Sequence, residues 1–313
     1  MSQGLVGASA RLGAIVFVTS ACSGTPGGGG NIALGGGTGG STDSSTSVTY
    51  VGGSNSAGST STTLVGGNSG YGAGGTSATQ IGGSSSAGTK ILGAAIVPLY
   101  SYPTEAPWSA IVTAKLAHPS VPVIAIANVN DGPGTSVDSE FTSGIHSLTT
   151  AGIVVIGYVY TSYGAREAAT VKAEIDAWHK FYPGVTGIFF DEESNADKGD
   201  AYYRDLAAYA KSAGMTLTVA NPGTDTSLAY INAVDVTFIY ESAGIPSNQL
   251  LATWRSSYTR SKVGVIPYAA GFDLAWMQLA RSCVGYIYVT NDDLPNPWDT
   301  LPSYFPSLLA ALE

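Results

Sequence analysis

Thr186-Gly187-Ile188-Phe189-Phe190-Asp191-Glu192-Glu193 is the stretch whose reading decides the fold. A short apolar run, flanked by Gly and containing β-branched and aromatic residues, stops abruptly at three carboxylates. Such a run has the pattern of a buried parallel strand. Adjacent acids are costly to bury, so they are expected where the strand leaves the core. The C-terminal end of a strand is where β/α-barrel enzymes place their chemistry. Taken alone, the same residues also fit a loop or helix start capped by acids, because Asp and Glu suit a helix N-terminus.

The sequence on either side separates these readings. From Ile91 onward, strand and helix patterns alternate. Besides the stretch above, strands are expected near residues 92–99, 121–127, 153–160, 215–220, 234–240, 263–268 and 284–290. Helices are expected near 107–117, 138–151, 166–181, 200–212, 272–281 and 304–312. Eight strands in a length near the usual ~250 residues predict an α/β fold, a (β/α)8 TIM barrel. An open doubly wound sheet is the alternative, and it normally carries a Gly-rich phosphate turn after its first strand. Here that position reads Pro98-Leu99-Tyr100-Ser101-Tyr102-Pro103.

The barrel is expected to occupy residues 90–313, preceded by two segments of different character. Residues 1–22 resemble an export signal: Arg11, the apolar run 12–18, then Thr19-Ser20-Ala21-Cys22. Small residues before a single Cys resemble a bacterial lipobox, which predicts lipidation of Cys22, although Thr19 stands where Leu is usual. An ordinary cleaved signal peptide is the alternative. Residues 23–89 are Gly, Ser, Thr and Asn with few large apolar groups. Such a composition cannot bury enough surface to offset ordering entropy and is read as a flexible tether. The uneven recurrence of Val51-Gly52-Gly53, Val65-Gly66-Gly67 and Ile81-Gly82-Gly83 leaves a solenoid conceivable.

The formal net charge of −9 disfavours nucleic acid or an anionic membrane face as partner. A membrane enters only through the lipid on Cys22, so the expected location is extracellular, at a bacterial surface. Low charge and a single folded domain make a monomer the default. Two Cys cannot build a disulfide framework. There is no Gly-x-Ser-x-Gly elbow, His-rich metal site or phosphate-binding loop, so no cofactor is expected. His118, His146 and His179 fall on helices or loops away from the strand ends and are read as structural.

Under the barrel reading the strand ends gather Tyr100, Asn128, Asn130, Asp131, Tyr160, Asp191, Glu192, Asn221, Glu241, Tyr268, Asn291 and Asp292. Acids, amides and tyrosines without a cationic side chain suit a sugar: carboxylates cleave, amides read hydroxyls, and aromatic rings stack on sugar faces. Strands four and six are two apart, which makes Asp191 and Glu241 the natural pair across one scissile bond. Glu192 alternates to the other side of the strand unless the chain bends there. Glu193 is expected to be a solvated loop acid. Asp292 could contact substrate or cap the next segment.

Several blocks together are more specific. Residues 97–103, His118-Pro119-Ser120-Val121-Pro122, residues 128–134, residues 157–164 and Gly187-Ile188-Phe189-Phe190-Asp191-Glu192 resemble the spherulin-4 family. The resemblance runs from about Ile91 to Glu313. It implies a (β/α)8 fold and Sph-type endo-hydrolysis of α-1,4-linked N-acetylgalactosamine in galactosaminogalactan-like exopolysaccharide. It also implies that the acidic pair at the fourth strand is Asp191 and Glu192, with Glu241 the acid at the sixth. The expected mechanism is retaining: Asp191 as nucleophile, Glu241 as general acid/base, Glu192 tuning one of them. A non-catalytic carbohydrate-binding or coat protein on the same barrel is the alternative. A further reading takes Asp191, Glu192, Asp292 and Asn128 as oxygen ligands of a divalent ion.

Overall fold

A computed structural model describes residues 92–313. The signal-like segment, Cys22 and the Gly/Ser-rich stretch lie outside the described residues. The strands are β1 (Ala95–Leu99), β2 (Val123–Ala127), β3 (Val154–Tyr160), β4 (Val185–Asp191), β5 (Leu217–Ala220), β6 (Val236–Phe238), β7 (Val263–Val265) and β8 (Tyr286–Ile287). They form one parallel sheet in sequence order. A parallel bridge from Ala94 to Tyr286 brings the last strand back to the first, which makes the sheet a barrel. The helices are α1 (Ala106–Ala117), α2 (Ser139–Thr150), α3 (Ala168–Phe181), α4 (Asp200–Ser212), the single-turn α5 (Leu228–Ile231), α6 (Asn248–Ser257), α7 (Leu274–Cys283) and α8 (Phe305–Leu312). Among the described residues no helix is long and apolar enough to cross a membrane.

Local sequence accounts for most element boundaries. β1 and β2 are buried along their whole length, as strands covered on both faces must be. Asp138 caps α2 by accepting from the Glu140 and Phe141 amides, and Asp273 caps α7 through the Trp276 amide. Ser247 does the same for α6 through Leu250, although no helix was expected between strands six and seven. The strands after β4 are shorter than the apolar runs that contain them, although backbone bonds such as Ile266 N–H to Tyr240 O and Tyr288 N–H to Val265 O carry the pairing further. Cys283 is buried in the core, as a small apolar residue would be.

Two glycines set close approaches. A Cβ on Gly157 would lie 2.4 Å from the Trp178 ring, so glycine lets α3 lie directly against β3. Trp178 then donates its indole N–H to the Tyr158 carbonyl at 2.9 Å. A Cβ on Gly187 would meet the Leu217 carbonyl at 2.6 Å, so glycine is required where β4 meets β5. Inside the barrel, Phe189 packs between Tyr158 and Phe238, with ring centroids 6.0 and 5.7 Å away. This aromatic layer forms the floor beneath the acids, one step further along β4.

Candidate active site

β4 alternates its side chains, so Asp191 points the same way as Phe189 and emerges just above the aromatic floor. The Tyr158 hydroxyl, on β3, donates to Asp191 Oδ2 at 2.9 Å. From β5, Asn221 presents one amide nitrogen to two acids. Its Nδ2 donates to Asp191 Oδ1 at 2.9 Å and to Glu241 Oε2 at 2.5 Å. Those two oxygens are therefore at most about 5.4 Å apart, the sum of the two bonds. Asn221 is itself buried, and its Oδ1 accepts from the Gly223 amide at 3.0 Å, which fixes which end of the amide faces the acids. Glu241 follows β6 by three residues and is tied back through its own amide to the Gly223 carbonyl.

The surroundings disfavour charge on both members of the pair. Burial pushes the Asp191 carboxyl up, against the lowering effect of its bonds from Asn221 and Tyr158. Burial, reinforced by the Asp191 charge, pushes Glu241 up to about 7, against bonds from Asn221 and the Trp298 indole. Two carboxyls sharing one donor titrate as a pair, so one proton is held between them near neutrality. Tyr100 closes the site from β1, its hydroxyl pushed up by burial, then by Asp191 and Glu241. Its ring stands edge-on to Tyr158 at 5.6 Å.

A family model described as spherulation-specific family 4 matches residues 94–312. The chain belongs to that family. Spherulin-4 of Physarum polycephalum is 40% identical over 161 residues, covering 51% of this chain and 48% of that protein. The chain thus matches about half the length of this curated relative. Among solved structures, Aspergillus clavatus Sph3 in complex with GalNAc aligns with a TM-score of 0.64 at 22% identity. That alignment covers 71% of this chain and 97% of that one, and it supports the barrel.

In this spherulation-specific family 4 barrel the sequence-expected residues divide. Tyr100, Asp191, Asn221 and Glu241 meet at one point, and Glu192 and Tyr268 border it. Of the two courses open to the chain after Asp191, it takes the bend: Glu192 has φ 53°, so the chain turns sharply there. Ser162 then hydrogen-bonds the Glu192 carboxyl, which burial and Asp191 push up. Tyr268 is buried edge-on against Trp298 at 6.2 Å.

Of the remaining expected residues, Asn128, Tyr160 and Asp292 have local partners, and Asn130 and Asn291 are exposed. Asn128 Oδ1 accepts the Gly132 amide and so shapes the 128–132 turn, beside the exposed Asn130 and the left-handed Asp131. Tyr160 lies under the Arg166 guanidinium, 3.9 Å from its ring centroid. Asn291 is exposed, while Asp292 accepts from Thr300 Oγ1 at 2.6 Å and braces the loop that carries Trp298. Asn128 and Asp292, two of the four oxygen donors considered for a divalent ion, thus engage side-chain oxygens in these local bonds. Among the described residues no three His, Cys, Asp or Glu side chains could hold a metal ion.

Sequence reasoning missed Tyr158 and Trp298, which touch the two acids directly. Tyr158 carried a signal, since it lies two residues before Tyr160 on the same face of β3. Trp298 carried none, because its loop is 11 residues past the last strand and returns by tertiary packing alone.

Glu193 reverses its expectation. It is 1% exposed, and neither carboxyl oxygen has a hydrogen-bond partner among the described residues. Burial alone holds this carboxyl well above the usual range, so it stays protonated where a solvated Glu would ionise. An acid raised in the folded state lowers stability as pH rises past its unfolded value near 4.5. Glu193→Gln removes that dependence. Its melting temperature should equal the parent's at pH 4 and exceed it by roughly 2–6 °C at pH 8, as about 1–2 kcal/mol of burial cost disappears. Parallel melting curves at the two pH values would refute the buried-acid assignment.

Proposed function

We propose that this barrel is a glycoside hydrolase that cleaves α-1,4-linked N-acetylgalactosamine or galactosamine within an exopolysaccharide, with retention of configuration. The observation that carries the reading is the single Asn221 nitrogen shared by Asp191 and Glu241. It brings one oxygen of each carboxyl within about 5.4 Å of the other, which supports the close ~5–5.5 Å arrangement of retaining enzymes over the ~6.5–9.5 Å of inverting ones.

In this mechanism Asp191 attacks the anomeric carbon while Glu241 protonates the departing glycosidic oxygen. A covalent glycosyl–Asp191 ester results. Glu241, now ionised, takes a proton from water, and the water displaces Asp191 to release the sugar. Asp191 is the member of the pair assigned the negative charge: burial raises its carboxyl, but the Tyr158 hydroxyl, the Asn221 amide and the Glu192 backbone N–H all donate to it and oppose that rise. Glu241 starts protonated because burial and the Asp191 charge raise it to about 7. Glu192, next to Asp191 at the left-handed bend and close enough to feel its charge, is placed to tune that charge or to bind a substrate substituent. The resemblance of residues 1–22 to an export signal ending at Cys22 supports delivery to a cell surface.

Incubation with purified galactosaminogalactan should generate new reducing ends of the α configuration first, followed by proton NMR. Binding without new reducing ends would favour the coat-protein alternative. The rate carries its own signature. The acid Glu241 is functional below its raised value and is lost above it, so kcat/KM should fall about tenfold per pH unit above roughly pH 7. A rate that stays flat from pH 6 to 9 would remove Glu241 from the acid role.

A further inference from the structure

Tyr163 is a large aromatic residue that the fold holds out of the core. Its side chain belongs to a residue 56% exposed, on the loop that follows β3. Its backbone φ is 56°, directly after Ser162 at 47°, and Gly164 continues at 82°. Two adjacent non-glycine residues in the left-handed region are strained, since Cβ crowds the backbone there. Burial of the ring does little to offset that strain, because the residue is more than half exposed. Strain maintained without burial is most often found where a side chain must be presented to a ligand.

The conformation is enforced from several sides. The Tyr163 amide donates to the Glu192 carbonyl at 2.8 Å. Gly164 and Arg166 both donate to the Thr161 carbonyl, and Ala165 donates to Ser162. The Thr161 hydroxyl in turn bonds the Asp191 and Glu192 carbonyls at 2.9 and 2.7 Å. Tyr163 is thus locked to the same backbone that carries two of the site's acids. Its phenol is pushed up by partial burial and then by Glu192, Asp191 and Glu241, so the ring stands within electrostatic reach of all three. Strand order supplies the opposite side. β3 and β7 are four apart in a ring of eight, so the Tyr163 loop faces Tyr268 and Trp298 across the mouth.

We propose that Tyr163 is a sugar-stacking platform on the β3 side of the mouth, holding one residue of a polysaccharide whose chain crosses the acids toward Tyr268. This rests on the carbohydrate reading of the site. A flat exposed ring offers its face to the apolar C–H side of a pyranose, while the acids and Asn221 take the polar groups. The platform binds a sugar distant from the cleaved bond, so it governs affinity for long chains and leaves the chemical step alone.

The test uses two substitutions. Tyr163→Gly removes the ring at a φ that glycine tolerates without strain, so the fold is retained. Tyr163→Trp keeps a stacking face. On the polymer, Tyr163→Gly should raise KM about tenfold with kcat within about twofold, and Tyr163→Trp should stay within about threefold of the parent. The same pair is then placed on Glu241→Gln protein and titrated with an α-1,4-N-acetylgalactosamine oligosaccharide by calorimetry. There Tyr163→Gly should weaken Kd about tenfold. A Kd unchanged by Tyr163→Gly, or weakened equally by Tyr163→Trp, overturns the platform while leaving the hydrolase reading intact. Tyr163-dependent binding by a protein that cleaves nothing upholds the platform and ends the hydrolase reading. Failure of the parent to bind the oligosaccharide overturns both.

Discussion

Glu241→Gln should lower kcat on an α-1,4-galactosaminide polymer by about 1,000-fold or more, and Asp191→Asn by at least about 10,000-fold. The two acids have different work, so the losses have different signatures. Asp191→Asn removes the nucleophile, and no covalent intermediate can form on an amide of such low reactivity. Glu241→Gln removes the proton needed by the departing oxygen, so its loss should shrink on a substrate whose leaving group needs no protonation. Gln and Asn are isosteric with the acids they replace, so melting temperatures should hold. They should even rise at neutral pH for Glu241→Gln, because burial raises this carboxyl to about 7 and ionising it opposes folding. A variant of either residue with near-parent kcat would remove that residue from its role.

Asn221→Ala should cost about 100- to 1,000-fold in kcat, nearly as much as the acids, although Asn221 exchanges no proton. Its nitrogen is the physical link between Asp191 and Glu241. Without it both carboxyls lose a charge-stabilising donor, both rise further, and the pair loses its spacing. Asn221→Asp makes the sign of this effect testable. A third carboxylate adds like charge beside Glu241, so the alkaline limb of kcat/KM should move to higher pH even as the rate falls. A limb that stays in place, or moves down, would mean that Asn221 does not govern the protonation of the pair. The Gly223 amide on Asn221 Oδ1 makes the Asn side chain rigid, so a modest loss in Asn221→Ala would likewise count against this role.

The barrel was legible because its information is local. Apolar runs separated by amphipathic helices and ending in polar residues state the alternation of the fold without any long-range contact. The helix between β6 and β7 was not read, since Asn248–Ser257 carries few apolar residues and its Ser247 cap is inconspicuous. The late strands are short only as regular ladders. In the run 284–290, Tyr286 and Ile287 form β8, yet the Tyr288 and Thr290 amides still donate to the Val265 and Pro267 carbonyls of the neighbouring strand.

What the sequence determined by itself is which acids and amides stand at strand ends, because period-two alternation from a buried strand settles that placement: Asp191 and Asn221 follow from it directly. Only the tertiary structure decided what each polar group faces. Asn128 and Asp292 are strand-end residues like Asn221, yet they serve a turn and a loop brace. Glu193 is next to Glu192 and chemically identical, yet it is sealed from water while its neighbour borders the mouth. Trp298 arrives from a loop far from any strand end. The physical reason is that backbone periodicity acts over two or three residues, whereas burial and hydrogen-bond partners depend on segments brought together from 30 to 57 residues away.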